Sequence, residues 1–132
     1  MKTIFGVSSV VPLSKKLKNG YTMYDWIKRK KCFPAFCMRT LCGEEKITIE
    51  EIEFLKANDC KIGLVICDLT EAGVSGVNGT EDALKAADAA KKLGVQQNEG
   101  IALFAKIKPE WSINHNWMIS FAQVIFANGY IP

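Results

Sequence analysis

Four short apolar runs alternate with four amphipathic stretches along this chain, and that alternation constrains its fold more than any other feature. The runs cover residues 3–10, 33–38, 61–67 and 100–106. Ile4, Phe33, Ile62 and Ile101 open them, 29, 29 and 39 residues apart, a spacing that suits successive βα units. Within each run the apolar residues are near-continuous instead of strictly alternating, the mark of strands covered on both faces of a parallel sheet. The pattern predicts an α/β chain of four βα units with a parallel sheet, forming one domain over 1–132. Two architectures fit it: an open doubly wound sheet of four strands, or half of a (β/α)8 barrel, whose full circuit takes about 250 residues. Residues 128–132 read as the start of a fifth strand that stops at once.

The stretches between the runs carry helix start and stop signals. Residues 21–30 open at Thr22, with Asp25 three residues on, and 49–58 open at Thr48, with Glu51 three residues on, a capping box. The third helix, 81–92, has Thr80 as its expected cap and Glu81 and Asp82 on its first turn. Lys91 and Lys92 lie on its last turn, with Gly94 placed for a left-handed close. Ala83, Ala86, Ala87 and Ala90 form a close-packing stripe on it. The last helix, 113–128, follows Ser112 and carries Ile113, Trp117, Phe121 and Val124 on one face. The glycine-rich connection 69–80 is the longest, and it leaves the C-terminal end of the third strand, the edge where parallel α/β folds place ligands.

Composition excludes several classes. Hydrophobic content of 48% with 23% charged residues is that of a globular protein. A net charge of +3 does not point to nucleic acid, and the basic run 28–31 reads as the solvated end of a helix, where cations are favoured. No run reaches the roughly 18 apolar residues that span a bilayer. The opening residues, broken by Gly6, Ser8 and Ser9, read as a strand and not as a signal peptide. Five cysteines, an odd number, argue for buried thiols in a reducing compartment, and so for the cytoplasm, with an extracellular or cell-wall location requiring release by another route. Cys32, Cys37 and Cys42 are spaced too widely for a zinc knuckle, and neither a metal site nor a cofactor is expected.

Three segments carry a resemblance. Phe36-Cys-Met-Arg39-Thr-Leu-Cys-Gly43 resembles a family's second strand, which ends in an arginine and a glycine. The segment from Lys46 through Thr48, Glu51 and Leu55 to Ile62 resembles its next helix and third strand. Gly79-Thr-Glu-Asp82-Ala83 through Gly94, then Ile101 to Ala105, resembles its third helix and fourth strand. The family is the glycoside-hydrolase-like domain of unknown function found in bacterial proteins, a relative of the lysozyme-like barrels that act on cell walls. The resemblance implies the first half of such a barrel and a connection to carbohydrate, peptidoglycan among them. Two acidic positions common in the family are replaced. Ser8 stands after the first-strand Gly6, and Phe104-Ala-Lys106-Ile107 closes the fourth strand without an aspartate. A degenerate hydrolase, its activity reduced or absent, is therefore expected.

Glycoside hydrolysis uses two carboxyl groups, one as acid and one as base or nucleophile. Candidates at the strand ends are Asp68, directly after the third run, then Glu71 in the same loop, and Glu110 beyond the fourth run beside Trp111. Each has a plainer reading: Asp68 as a loop residue bonding backbone amides, Glu71 as a solvated charge, Glu110 as a charge on a helix N-terminus. Ser8, Arg39 and Trp111 are the candidate substrate-binding residues, with Arg39 expected to pair with Asp68. Trp117, at helical spacing, reads as core, and His115 as a surface helical residue. The alternative function is a non-catalytic binding or assembly module, and open sheet edges predict self-association, two halves completing a barrel.

Overall fold

The computed structural model describes residues 3–95 and 98–132. Nine elements follow in order: β1 (Phe5–Ser8), α1 (Met23–Arg29), β2 (Pro34–Thr40), α2 (Ile49–Ala57), β3 (Lys61–Ile66), α3 (Glu71–Val74), α4 (Thr80–Lys92), β4 (Ala102–Ala105) and α5 (His115–Ala127). The strands form one parallel sheet in the order β1-β2-β3-β4. A doubly wound sheet reverses its order at a switch point. Here each strand lies beside its sequence neighbour, the order that four successive βα units give. No helix among the described residues is long and apolar enough to cross a membrane.

The chain divides into two compact units, residues 1–63 and 64–132. In the first, β1 and β2 pair in parallel with a bulge: Phe5 faces Pro34 while Gly6 faces Phe36, leaving Ala35 as the extra residue. The bulge breaks the alternation, so Ala35 and Phe36 are both exposed, whereas Cys37 and Arg39 are buried together on the opposite face. The Phe36 ring lies where a Cβ on Gly6 would stand. Thr22 and Asp25 form the expected capping box of α1. Tyr24 from α1 meets Phe54 of α2 edge to face, with ring centroids 5.8 Å apart. Leu13, Ile47, Ile52, Leu55, Cys60 and Ile62 are also buried in this unit.

The second unit is organised by α4 against α5. The alanine stripe of α4 is buried throughout, and Trp117, Phe121 and Ile125 are the buried residues of α5. Trp117 stacks on Phe121 at 4.8 Å and donates from Nε1 to Asp82 at 2.9 Å. Thr80 is not the cap of α4. Gly79 holds that position, and the amide of Thr80 is taken by the Asn78 side chain at 2.9 Å. The reason is space: a Cβ on Gly79 would lie 2.6 Å from the Trp117 carbonyl oxygen and 2.8 Å from Phe121 Cβ. The left-handed close at Gly94 is as expected, with φ +73°. Residues 128–132 do begin a fifth strand. Ile131 bridges Ala102 in parallel, accepts from Leu103 N at 2.8 Å and donates to Ile101 O at 2.9 Å.

Cys32, Cys37 and Cys60 of the first unit are free thiols. Cys42 and Cys67 are disulfide-bonded, which corrects the reading of all five as thiols. Burial pushes the Cys37 thiol from its usual 9.0 up to about 12, and burial also raises Cys60, Tyr24 and Tyr130. All four are neutral when protonated and have raised folded-state values. Their burial therefore supports the fold fully below the unfolded-state values and is lost as pH rises through the folded ones. Unfolding monitored by circular dichroism should show a chain equally stable at pH 7 and 8, and progressively weaker from about pH 9 towards 12. Stability that stays flat to pH 11 would refute this.

Candidate functional site

At the C-terminal end of β2 the first unit buries an ion pair. Arg39 is fully buried and Glu51, on the first turn of α2, is 1% exposed. Arg39 Nε donates to Glu51 Oε1 at 2.7 Å and Nη2 to Oε2 at 3.1 Å, a two-point fork. Nη1 donates to Ser9 O at 3.0 Å, and Nη2 also to Glu45 O at 2.7 Å. Glu51 Oε1 accepts a further bond from Leu13 N at 3.2 Å. One guanidinium therefore ties together the loop after β1, the loop after β2 and the start of α2.

This network corrects two expectations. Arg39 pairs with Glu51, not Asp68, and its forked donors are engaged by protein and turned away from solvent. Glu51 is not the return half of a capping box. Thr48 does accept from the Glu51 amide, at 3.3 Å, but the Glu51 carboxylate turns inward to Arg39. A signal for this pairing existed: Arg39 shares strand parity with Cys37, so it points to the helix-covered face. Ser8 ends β1 and is exposed. Its neighbour Ser9 folds back, donating from Oγ to Val11 O at 2.7 Å.

In the second unit Asp68 follows β3 and is exposed. The connection expected to be a loop contains α3, capped by Thr70, whose hydroxyl accepts from Gly73 N at 3.0 Å. Glu71 is exposed on the first turn of that helix. Glu110 is exposed in the turn after β4, where Trp111 N donates to Lys108 O at 3.1 Å. Trp111 is half-buried, with Lys108 Nζ 5.6 Å from its ring centre. Asn114, not Ser112, caps α5, so the helix starts at His115, which is exposed as expected. Asn114 N also donates to Val74 O at 2.8 Å, joining the end of α3 to the start of α5.

One hollow in this unit has no counterpart among the sequence candidates. A cavity of about 260 Å³ lies between β4 and α5, lined by Leu103, Phe104, Trp117, Met118, Phe121 and their neighbours. Its walls are almost wholly apolar, which suits hydrocarbon and not the hydroxyl-rich edge of a sugar. Motif reading misses it because its residues are ordinary core types.

No protein family matches the chain, and no curated protein matches it. Among solved structures, a 1.07 Å crystal structure of an uncharacterized B. stearothermophilus protein is similar in fold, with a TM-score of 0.76 and 23% sequence identity. The similarity covers 97% of this chain and 58% of that one, so the chain spans somewhat over half the length of the protein it matches.

Proposed function

We propose that this chain is a glycoside-hydrolase-like module directed at carbohydrate, bacterial cell wall foremost, with its site at the C-terminal ends of the strands. The observation that carries this reading is the strand order β1-β2-β3-β4, the winding of barrels whose ligands bind at that edge. Asp68, Glu110 and Trp111 of the second unit follow strand ends there. Hydrolysis would use Asp68 and Glu110 as the two carboxyl groups, one protonating the glycosidic oxygen while the other activates water or attacks, which requires them roughly 5–9.5 Å apart. Trp111 offers a ring face to a sugar. With the family's acids replaced after Gly6 and after β4, binding outlasts catalysis.

The test is retention on purified peptidoglycan together with release of new reducing ends. The wild type should be retained and release little sugar, Asp68→Asn should be retained equally, and Trp111→Ala should bind about tenfold more weakly. Release that Asp68→Asn abolishes would make the chain a competent hydrolase, and no retention by any variant would remove the carbohydrate reading. The apolar hollow favours a second reading, an assembly module. Its occupant would be the β1 strand of a second copy, since the sheet order leaves the outer edge of β1 open and Ile4 and Phe5 are exposed. A purely monomeric mass by sedimentation at micromolar concentration counts against that reading.

A further inference from the structure

Charge along this chain is far from even. Residues 15–31 hold seven cations and one carboxylate, a net +6, so the rest of the chain carries −3 against the total of +3. The fold gathers the segment onto one surface. Leu17 N donates to Tyr21 O at 2.7 Å, Met23 N to Lys15 O at 2.9 Å, and Gly20 turns the chain with φ +83°. This hairpin lays the three lysines of residues 15–18 against the start of α1. From the far end of α1 the Arg29 guanidinium returns over the Tyr21 ring, 4.3 Å from its centre, and Nη2 reaches the Tyr21 hydroxyl at 3.4 Å. Lys30 Nζ lies 5.4 Å from the centre of Trp26. All seven cations are exposed, as are Tyr21 at 43% and Trp26 at 46%.

The acidic groups here are occupied. Asp25 accepts from Thr22 N at 3.0 Å and from Thr22 Oγ at 2.8 Å within the capping box. The Glu45 carboxylate pairs with Lys15 at 3.9 Å. Two of these cations lie over exposed aromatic rings, Arg29 over Tyr21 and Lys30 over Trp26, so the patch joins fixed positive charge to exposed ring surface and is more than a solvated helix end. That combination matches a sugar ring bearing an anionic substituent.

We infer that the Tyr21–Trp26 face of α1 and its lysine hairpin form a binding surface for a carboxylate-bearing glycan. The inference rests on the carbohydrate reading above and narrows its ligand class. A glycan segment of a few residues is favoured over a long polyanion because the +6 is confined to 17 residues of sequence, room for a few anionic groups only.

The probe is an oligogalacturonate, its fully methyl-esterified form and a thymidine oligonucleotide of equal charge, each titrated into the whole chain. The acid glycan should bind at least about tenfold more tightly than its ester, and should weaken about tenfold between 0.05 and 0.5 M salt. Arg29→Glu with Lys30→Glu should abolish that difference, and Trp26→Ala should weaken the acid glycan several-fold, with circular dichroism unchanged in both variants. Equal binding of acid and ester overturns the inference and leaves the carbohydrate reading intact. Tighter binding of the oligonucleotide overturns it in favour of nucleic acid. Binding of none of the three, with no retention on peptidoglycan, removes both readings.

Discussion

Replacing Arg39 with methionine is expected to cost about 3–5 kcal/mol of folding stability, the range for removing one partner of a buried pair. The methionine fills much of the volume but donates nothing. Glu51 would remain buried as a carboxylate with only the Leu13 amide to serve it, and the Ser9 and Glu45 carbonyls would lose their donors. In urea, with a slope of about 2 kcal/mol per molar, the midpoint should fall by roughly 2 M. The double variant Arg39→Met/Glu51→Leu should recover most of that loss, because exchanging both charges for apolar groups is often neutral. A single-variant loss under about 1 kcal/mol would mean that water reaches the pair, and that the three segments it joins are held by something else.

The second large effect is expected at Gly79→Ala. A methyl group there would stand within 2.8 Å of both the Trp117 carbonyl and Phe121 Cβ, so α5 must withdraw from the start of α4. Withdrawal would also stretch the bond from Gly79 N to Ser120 Oγ, now 2.7 Å, and loosen the Trp117–Asp82 contact. Overpacking of this kind costs about 1–3 kcal/mol, and the accompanying hydrogen bonds place Gly79→Ala at the upper end. Near-ultraviolet circular dichroism should weaken as the Trp117–Phe121 stack loosens. Thr80→Ala, the replacement that sequence alone marks as harmful, should change stability by less than about 0.5 kcal/mol, since the Thr80 side chain caps nothing. Equal effects at the two positions would contradict this account.

These two positions show where sequence reading stops. The capping box at Thr22 and Asp25, the turn at Gly94 and the buried stripe of α4 were legible because each is a local signal, complete within a few residues. Gly79 was not, because the demand for a missing side chain comes from Trp117 and Phe121, some forty residues away in sequence. Glu51 was misassigned for a related reason. Its position three residues after Thr48 satisfies a local motif, and the long-range partner Arg39 wins the carboxylate. β1 is shorter than its apolar run because Ser9 turns back on Val11, while β2 runs past Met38 to Thr40 because Arg39 belongs to the buried face. The short helix α3 escaped notice because four residues give no period to detect. At the candidate site the residue types could be chosen, but not their surroundings. Exposure of Asp68, Glu71 and Glu110 and enclosure of Arg39 depend on packing that no spacing encodes.

The order of the strands also bears on how the molecule is made. Because each strand lies beside the one that precedes it in the chain, structure can accumulate in the direction of synthesis, N-terminal parts first. Every group that neutralises Arg39 lies between Ser9 and Glu51, so the charge can be enclosed with its partner before residue 64 has left the ribosome. The first unit thus contains every partner of its most costly buried charge, and owes none of that pairing to residues made later.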